Sequence, residues 1–276
     1  MEPAHLIDPH AHFHWAGSRD DFARYNASRL RAGEAMGIRV HVASILGTWG
    51  RTSPTYFASP ADVTAGNDAM HAIAAAEPAR VRWWVHVNPN HTAHALAEIE
   101  RAVVRGAIGV KLSASRRADD PLLDPVCRAA AAHGLPILHH VWQDRRREWP
   151  NQEASDALEL ARLAARHPDV RFLLAHIGGG GDWAHTNPAI VDHPNIFPDL
   201  SGSGVDRGML DAALAALGAR RVLWACDLTL CTGLAKLRAL AHTGLSQDEL
   251  DDVCWRNAVR LFAPGALGLT LAGAVT

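Results

Sequence analysis

No apolar run in the 276-residue sequence is long enough to span a bilayer, so no membrane partner is expected. Its first residues show no basic segment followed by an apolar one; no secretory leader is read there, and a cytoplasmic location is expected. Cysteine is scarce. Cys127, Cys226, Cys231 and Cys254 are the only four, and none forms a Cys-x-x-Cys pair. In a chain of this size they read as reduced, mostly buried thiols, which excludes a disulfide-stapled fold. Excess charge of one sign is missing as well. The 27 Lys and Arg stand against 29 Asp and Glu, so no nucleic-acid partner is expected, and a small-molecule substrate is. No Ser/Gly-rich linker or low-complexity tract divides the chain, and residues 1–276 are read as one domain. The first strand leads into histidines rather than a glycine turn, which excludes a Rossmann dinucleotide site. Gly178–Gly181 lack the lysine of a phosphate loop and read as a plain loop. The apolar tail Leu267–Val275 is expected to pack on the domain or on a second copy in a homo-oligomer.

What the chain does have is a repeating order of strand-like and helix-like segments. Eight short runs rich in Val, Ile, Leu and Trp read as buried parallel strands, near His5–His10, Ile38–Ile45, Val81–Asn88, Ala107–Leu112, Leu135–Val141, Val170–His176, Asn195–Leu200 and Arg221–Asp227. Helical segments lie between them. Ser59-Pro60-Ala61-Asp62 carries an N-cap, a first-turn proline and an early acid. Ser246-Gln247-Asp248-Glu249 is a capping box, and Thr92 is read as the cap of Ala93–Arg105. Gly106, Gly134 and Gly218 sit where helices should stop. Eight β/α units in series allow an open doubly wound sheet or a closed (β/α)₈ TIM barrel. Polar residues at the C-terminal edge of strand after strand favour the barrel, which gathers those edges around one pocket.

It also has 17 histidines. At that abundance roughly one His-x-His pair is expected by chance, so position has to decide. His10 and His12 close the first strand two residues apart. Alternate side chains share a face, so both can aim into the barrel mouth and bind one cation. His14 extends the alternation, but the strand should have become loop by then. His139-His140 closes the fifth strand, His176 the sixth and Asp227 the eighth. A carboxylate at the end of an apolar strand is costly unless it is paired or metal-bound. His41, His86, His133 and His167 read as structural or surface residues, with His86 placed to line the pocket.

Together Asp8-x-His10-x-His12, His140, Ala175-His176-x-Gly178-Gly179, Asp199-Leu200-Ser201-Gly202, Asp227 and Asn257-Ala258-Val259-Arg260-Leu261-Phe262 resemble the amidohydrolase superfamily. The resemblance is to its amidohydrolase-related (amidohydrolase 2) branch, which holds aminocarboxymuconate-semialdehyde decarboxylase and pyrone-dicarboxylate lactonase, and it runs from residue 7 to about 262. It implies His10, His12, His140 and Asp227 as metal ligands, with His140 rather than His139 in the ligand place. Asp227 would be the remaining ligand or the general base on a metal-bound water, and His176 an acid–base residue in a one-metal site or a ligand of the second ion in a two-metal one. Lys111, at the end of the fourth strand, would bind substrate; in two-metal relatives a lysine near this place is carboxylated and bridges the ions. Relatives often carry an aromatic and a proline after the strand-eight aspartate, where this chain has Leu228-Thr229.

An open N/O ligand set suits Zn²⁺ first, with Mn²⁺ or Fe²⁺ as alternatives, and one ion per chain is expected rather than two. The expected activity is hydrolysis of a lactone, ester or amide by a metal-activated water. The alternative is metal-dependent non-oxidative decarboxylation. Arg116-Arg117 follow the fourth strand and Arg145-Arg146-Arg147 the fifth. Their forks match carboxylates, so the substrate is expected to carry one, held by Arg145 and Arg146. Trp15, Trp49 and Trp142 follow strands too and could wall an aromatic pocket, Trp142 against the substrate.

Overall fold

The computed structural model describes residues 1–46, 56–141, 152–177, 183–202, 204, 207–269 and 271. In chain order they form β1 (Leu6–His12), α1 (Phe22–Ala35), β2 (Ile38–Ser44), α2 (Pro60–Ala76), β3 (Val81–Val87), α3 (Thr92–Val104), β4 (Gly109–Leu112), α4 (Asp124–Ala132), β5 (Ile137–His140), α5 (Ala157–Arg166), β6 (Phe172–Ala175), α6 (Trp183–Ile190), β7 (Ile196–Pro198), α7 (Arg207–Leu217) and α8 (Leu230–Leu240). A last helical run passes from α9 (Gln247–Asp251) through a π turn over Asp252–Arg256 into α10 (Asn257–Leu261). The seven strands pair in parallel in the order β1 to β7.

The expected eighth strand exists only in part. Leu223 bridges to Asp199 beside β7, and Asp227 bridges to Ala11 on β1, which closes the sheet into a barrel. Between those points the ladder is interrupted because its donors are used elsewhere. The Trp224 amide donates to Val253 O at 2.9 Å and the Cys226 amide to Asp8 Oδ1 at 3.0 Å. Asp227 itself has a φ of 62°, outside any strand conformation.

Local signals work as expected at most helix ends. Ser59 accepts from the Asp62 amide, and Ser246 and Glu249 form a reciprocal capping box. Gly106, Gly134 and Gly218 have φ of 86°, 63° and 74°, the left-handed conformation that ends helices. Thr92 is a correction: it is the first residue of α3, not its cap, and its hydroxyl donates to Pro89 O. A short 3₁₀ turn over Pro89–His91, capped by Asn88, precedes the helix and takes over that role.

Side-chain alternation divides the interior into layers. Outward residues such as Val85, Val110, Ile137, Phe172 and Leu174 join the helices in the main core. Inward residues near the strand starts (Ile7, Val40, Val42, Trp84, Leu138, Leu173, Leu223) form a second apolar cluster with Trp255, Leu261, Phe262 and Leu267. The tail therefore plugs the barrel floor, with Leu267 buried in it and Leu269 and Leu271 packed against it. The wide Trp84 ring fits there because its strand partner is Gly109, where a Cβ would fall 2.2 Å from the ring. Above this plug the inward positions turn polar.

Candidate metal centre

Register shifts in β1 between Asp8 and Ala11 re-aim the strand, so that Ile7 packs in the floor while His10 and His12 face the mouth. Asp8 falls on the opposite face. Buried there, it meets Arg29 of α1 at 3.1 Å and His41 at 3.2 Å. Burial pushes the Asp8 carboxyl up, but these partners outweigh it and hold the carboxyl below the usual range. The same guanidinium donates to Asp227 O at 2.8 Å and Leu228 O at 2.7 Å. Arg29 thus pins the left-handed backbone of Asp227 to β1, where the incomplete ladder cannot.

Asp227 Oδ1 lies 3.1 Å from His12 Nε2 and 3.5 Å from His10 Nε2, and its Oδ2 lies 3.8 Å from His176 Nδ1. Burial raises the pKa of Asp227, but His176, His10 and His12 overcome it and hold the carboxyl well below the usual range. His12 and His176 are pushed down to about 4, chiefly by burial. Among the described residues, His10, His12 and Asp227 offer ligand atoms that all lie within 4.8 Å of one another; so do His10, His176 and Asp199. His140 belongs to neither group. Its Nδ1 is 3.0 Å from His176 Nε2 and its ring leans on Tyr56, with centroids 5.6 Å apart. Lys111 is fully buried, with Nζ 3.3 Å from His10 Nε2 and a pKa lowered by burial to about 8.

The chemistry of these donors can be tested against a cation. His10 Nδ1 faces a carboxylate oxygen of Asp199 at 2.8 Å, which only accepts, so this Nδ1 carries the ring proton and Nε2 keeps its lone pair. His12 Nδ1 faces both the Ser44 carbonyl at 3.2 Å and the Ser44 hydroxyl at 3.1 Å; donating to the carbonyl leaves its Nε2 with a lone pair as well. Two imidazole lone pairs then converge on one carboxylate oxygen. Such a convergence is repulsive without positive charge beside it; Lys111 Nζ, 3.3 Å from His10 Nε2, supplies some, and the donor set suits a divalent cation among the three atoms.

Other expectations resolve differently. His14 is held by Asn26 and Ser18 and packs on Tyr25, away from the cluster. Arg116 and Arg117 are not open carboxylate forks. Arg116 pairs with Glu153 and Asp120, and Arg117 with Glu159. His41, His133 and His167 serve Asp8, Glu100 and Asp124 as structural partners. The four cysteines are free thiols, three of them buried. Trp49, Trp142, Arg145, Arg146, Arg147 and Gly178–Gly181 lie outside the described residues. The sequence reasoning gave no role to Asp199, Ser201, Arg29 or Tyr56. Asp199 and Ser201 had a signal, as polar residues closing an apolar strand; Arg29 and Tyr56 had none.

A family model described as Amidohydrolase (Amidohydro_2) matches residues 7–263. The chain belongs to this family. Among curated proteins, none matches the sequence. Solved structures do match. The 5-carboxyvanillate decarboxylase of Sphingomonas paucimobilis is 20% identical with a TM-score of 0.69, over 94% of this chain and 98% of that one. A dihydroxybenzoic acid decarboxylase from Polaromonas sp. JS666, with bound manganese and the inhibitor 2-nitroresorcinol, is 19% identical with a TM-score of 0.70, over 95% and 97%. The 4-oxalomesaconate hydratase of Rhodopseudomonas palustris is 15% identical with a TM-score of 0.66, over 93% and 95%. At such identities the likeness speaks for the fold, a TIM-barrel-like α/β fold with a curled parallel sheet. The protein is thus an enzyme of the amidohydrolase superfamily with a His/Asp cluster able to hold a metal. No helix among the described residues is long and apolar enough to cross a membrane.

Proposed function

We propose that this enzyme is a metal-dependent, non-oxidative decarboxylase of a small hydroxylated aromatic or enoic acid. His10, His12, His140 and Asp227 are the proposed ligands of one ion. The reading is carried by the convergence of His10 Nε2 and His12 Nε2 on Asp227 Oδ1, at 3.5 and 3.1 Å, beside the buried Lys111. Support for decarboxylation over hydrolysis comes from fold relatives that act on dihydroxybenzoates and carboxyvanillate. Their bound manganese also favours Mn²⁺ beside Zn²⁺ for this mixed N/O set.

When bound, the ion supplies Lewis acidity that anchors a substrate oxygen and draws electron density from the ring. Lys111 pairs with the substrate's oxyanion in a site already stripped of water. Asp227, held ionised, accepts the substrate's hydroxyl proton on the oxygen facing His176. Asp227 then delivers that proton to the carbon that bears the carboxylate, with the His176 ring beside its Oδ2. The carbon–carbon bond breaks, its electron pair stays on the ring carbon, and carbon dioxide leaves.

A second reading, hydrolysis of a lactone, ester or amide, draws on the same ionised Asp227, which is equally suited to take a proton from an attacking water. The two separate in one experiment. The enzyme reloaded with Mn²⁺ or Zn²⁺ is given hydroxybenzoates and enoic acids in one series, lactones, esters and amides in another. Carbon dioxide release that stops on chelation is the expected result. Ring or ester opening without carbon dioxide would overturn decarboxylation in favour of the hydrolase. Turnover that survives complete metal removal would overturn both.

A further inference from the structure

Asp199 closes the β7 segment and is completely buried, yet it is not among the proposed ligands. Its Oδ2 faces His10 Nδ1 at 2.8 Å. Its Oδ1 accepts from three donors: the Ser201 amide at 2.9 Å, the Ser201 hydroxyl and the His176 amide at 3.0 Å. His176 is one of two non-glycine residues with positive φ among the described residues, at 73°, and that amide bond helps to hold it there. A carboxylate with both oxygens so engaged has its acceptor capacity committed to protein donors rather than to a cation.

The hydrogen-bond roles then follow in order. A carboxylate only accepts, so the proton on His10 belongs to Nδ1. The single Ser201 hydroxyl proton lies toward Asp199, which leaves the Ser201 oxygen only lone pairs to offer. His176 Nδ1 faces that oxygen at 3.0 Å and must therefore donate, and His10 Nδ1, already turned to Asp199, faces the same oxygen at 3.2 Å. In a neutral imidazole the other nitrogen is then bare, so His176 Nε2 accepts. His140 Nδ1, 3.0 Å away, is its donor. The chain ends with a lone pair on His140 Nε2.

We infer that Asp199 is a positioning residue that sets the tautomers of His10, His176 and His140, through two hydrogen-bonded branches, so that His10 and His140 both present Nε2 as a lone pair. The inference rests on the proposed metal centre for its purpose, but not for its geometry. One buried carboxylate prepares two ligands on strands far apart around the barrel, and it does so before any ion arrives. Second partners of this kind fix ring orientation and tautomer at metal sites, and losing one costs about 10–100-fold in metal affinity.

The test reads ring-nitrogen protonation by long-range ¹H–¹⁵N NMR in the metal-free full-length protein at pH 8, with no substrate. Nδ1–H on His10, His176 and His140 is expected. Nε2–H on His10 or His140 would overturn the inference, whatever the reaction turns out to be. In Asp199→Asn, the three donors at Oδ1 should hold the amide oxygen, turning the amide NH₂ toward His10 Nδ1. His10 should then move its proton to Nε2, and Mn²⁺ affinity, measured by competition with a chromophoric chelator, should fall about 10–100-fold. Unchanged tautomer and affinity in a folded variant would overturn the assignment. So would two ions per native chain and one in Asp199→Asn, because Asp199 would then be a ligand. Ser201→Ala cuts only the second branch: His10 should keep Nδ1–H while His176 and His140 become mixtures. If Asp199→Asn does not fold, the native spectrum and Ser201→Ala decide. Failure of the decarboxylase reading would appear in the carbon dioxide assay and leave these spectra untouched.

Discussion

The floor and the mouth of the barrel share the same strands and the same inward-facing register. Near their starts the strands point Ile7, Val40, Val42, Trp84, Leu138, Leu173 and Leu223 at one another and at Phe262. Two to five residues later they point His10, His12, Lys111, His140 and Asp227 into the mouth. The floor is held by contact and volume, where any well-fitting apolar set of the right size would serve. The mouth is held by direction. Arg29, Asp8 and Asp199 each satisfy several donors or acceptors, and most of their contacts join segments distant in the chain. The closing segment shows the contrast within six residues. Leu223 packs in the floor cluster, whereas Asp227 keeps its left-handed backbone through carbonyl contacts with Arg29 and an amide bond to His10 O.

The sharpest way to break this comparison is a substitution at each end. His12→Ala removes a converging lone pair without touching the floor. It should cost more than the ~100-fold expected for losing an outer partner, both in metal affinity and in turnover, while far-UV circular dichroism of the metal-free protein stays native. Retained affinity would mean the ion sits elsewhere. Leu138→Ala does the reverse. A cavity in the plug should lower stability by about 2–5 kcal/mol in urea titration and leave metal stoichiometry at the native value. If metal binding fell as well, floor and mouth would be one cooperative structure, not two.

A smaller effect comes from pH. His86 and His139 are buried and their pKa values are lowered, chiefly by burial, to about 3 and about 4. The unfolded chain takes up their protons near the ordinary value of about 6.5. Their contribution to stability is therefore fully present above about pH 6.5. It is lost progressively as pH falls toward 4, because the unfolded state binds protons that the folded state refuses. The melting temperature of the metal-free protein should drop across that window. A flat profile would show that these imidazoles are not held neutral by burial.

Much of the scaffold was legible because its signals are local. The Ser59 cap, the Ser246 capping box, the helix-ending glycines and the His10/His12 pairing each involve residues a few positions apart, where backbone period alone decides. The same reasoning overreached at Thr92, where Asn88 and a 3₁₀ turn intervene, and at Arg116 and Arg117, whose acidic partners lie elsewhere in the chain. His140, expected to share an ion with His10 and His12, stands at the edge of the same cluster with its Nδ1 against His176.

By itself the sequence determined the order of β/α units, the apolar character of the strand starts and the polar character of their ends. Those are properties of consecutive residues. Tertiary structure alone decided that Asp199 meets His10 across 189 residues, that Arg29 holds the backbone of Asp227 across 198, and that the last strand closes the barrel through two bridges. The physical reason is that alternation tells a side chain which face it takes, whereas the tilt and stagger of a closed barrel determine which strand end stands opposite it.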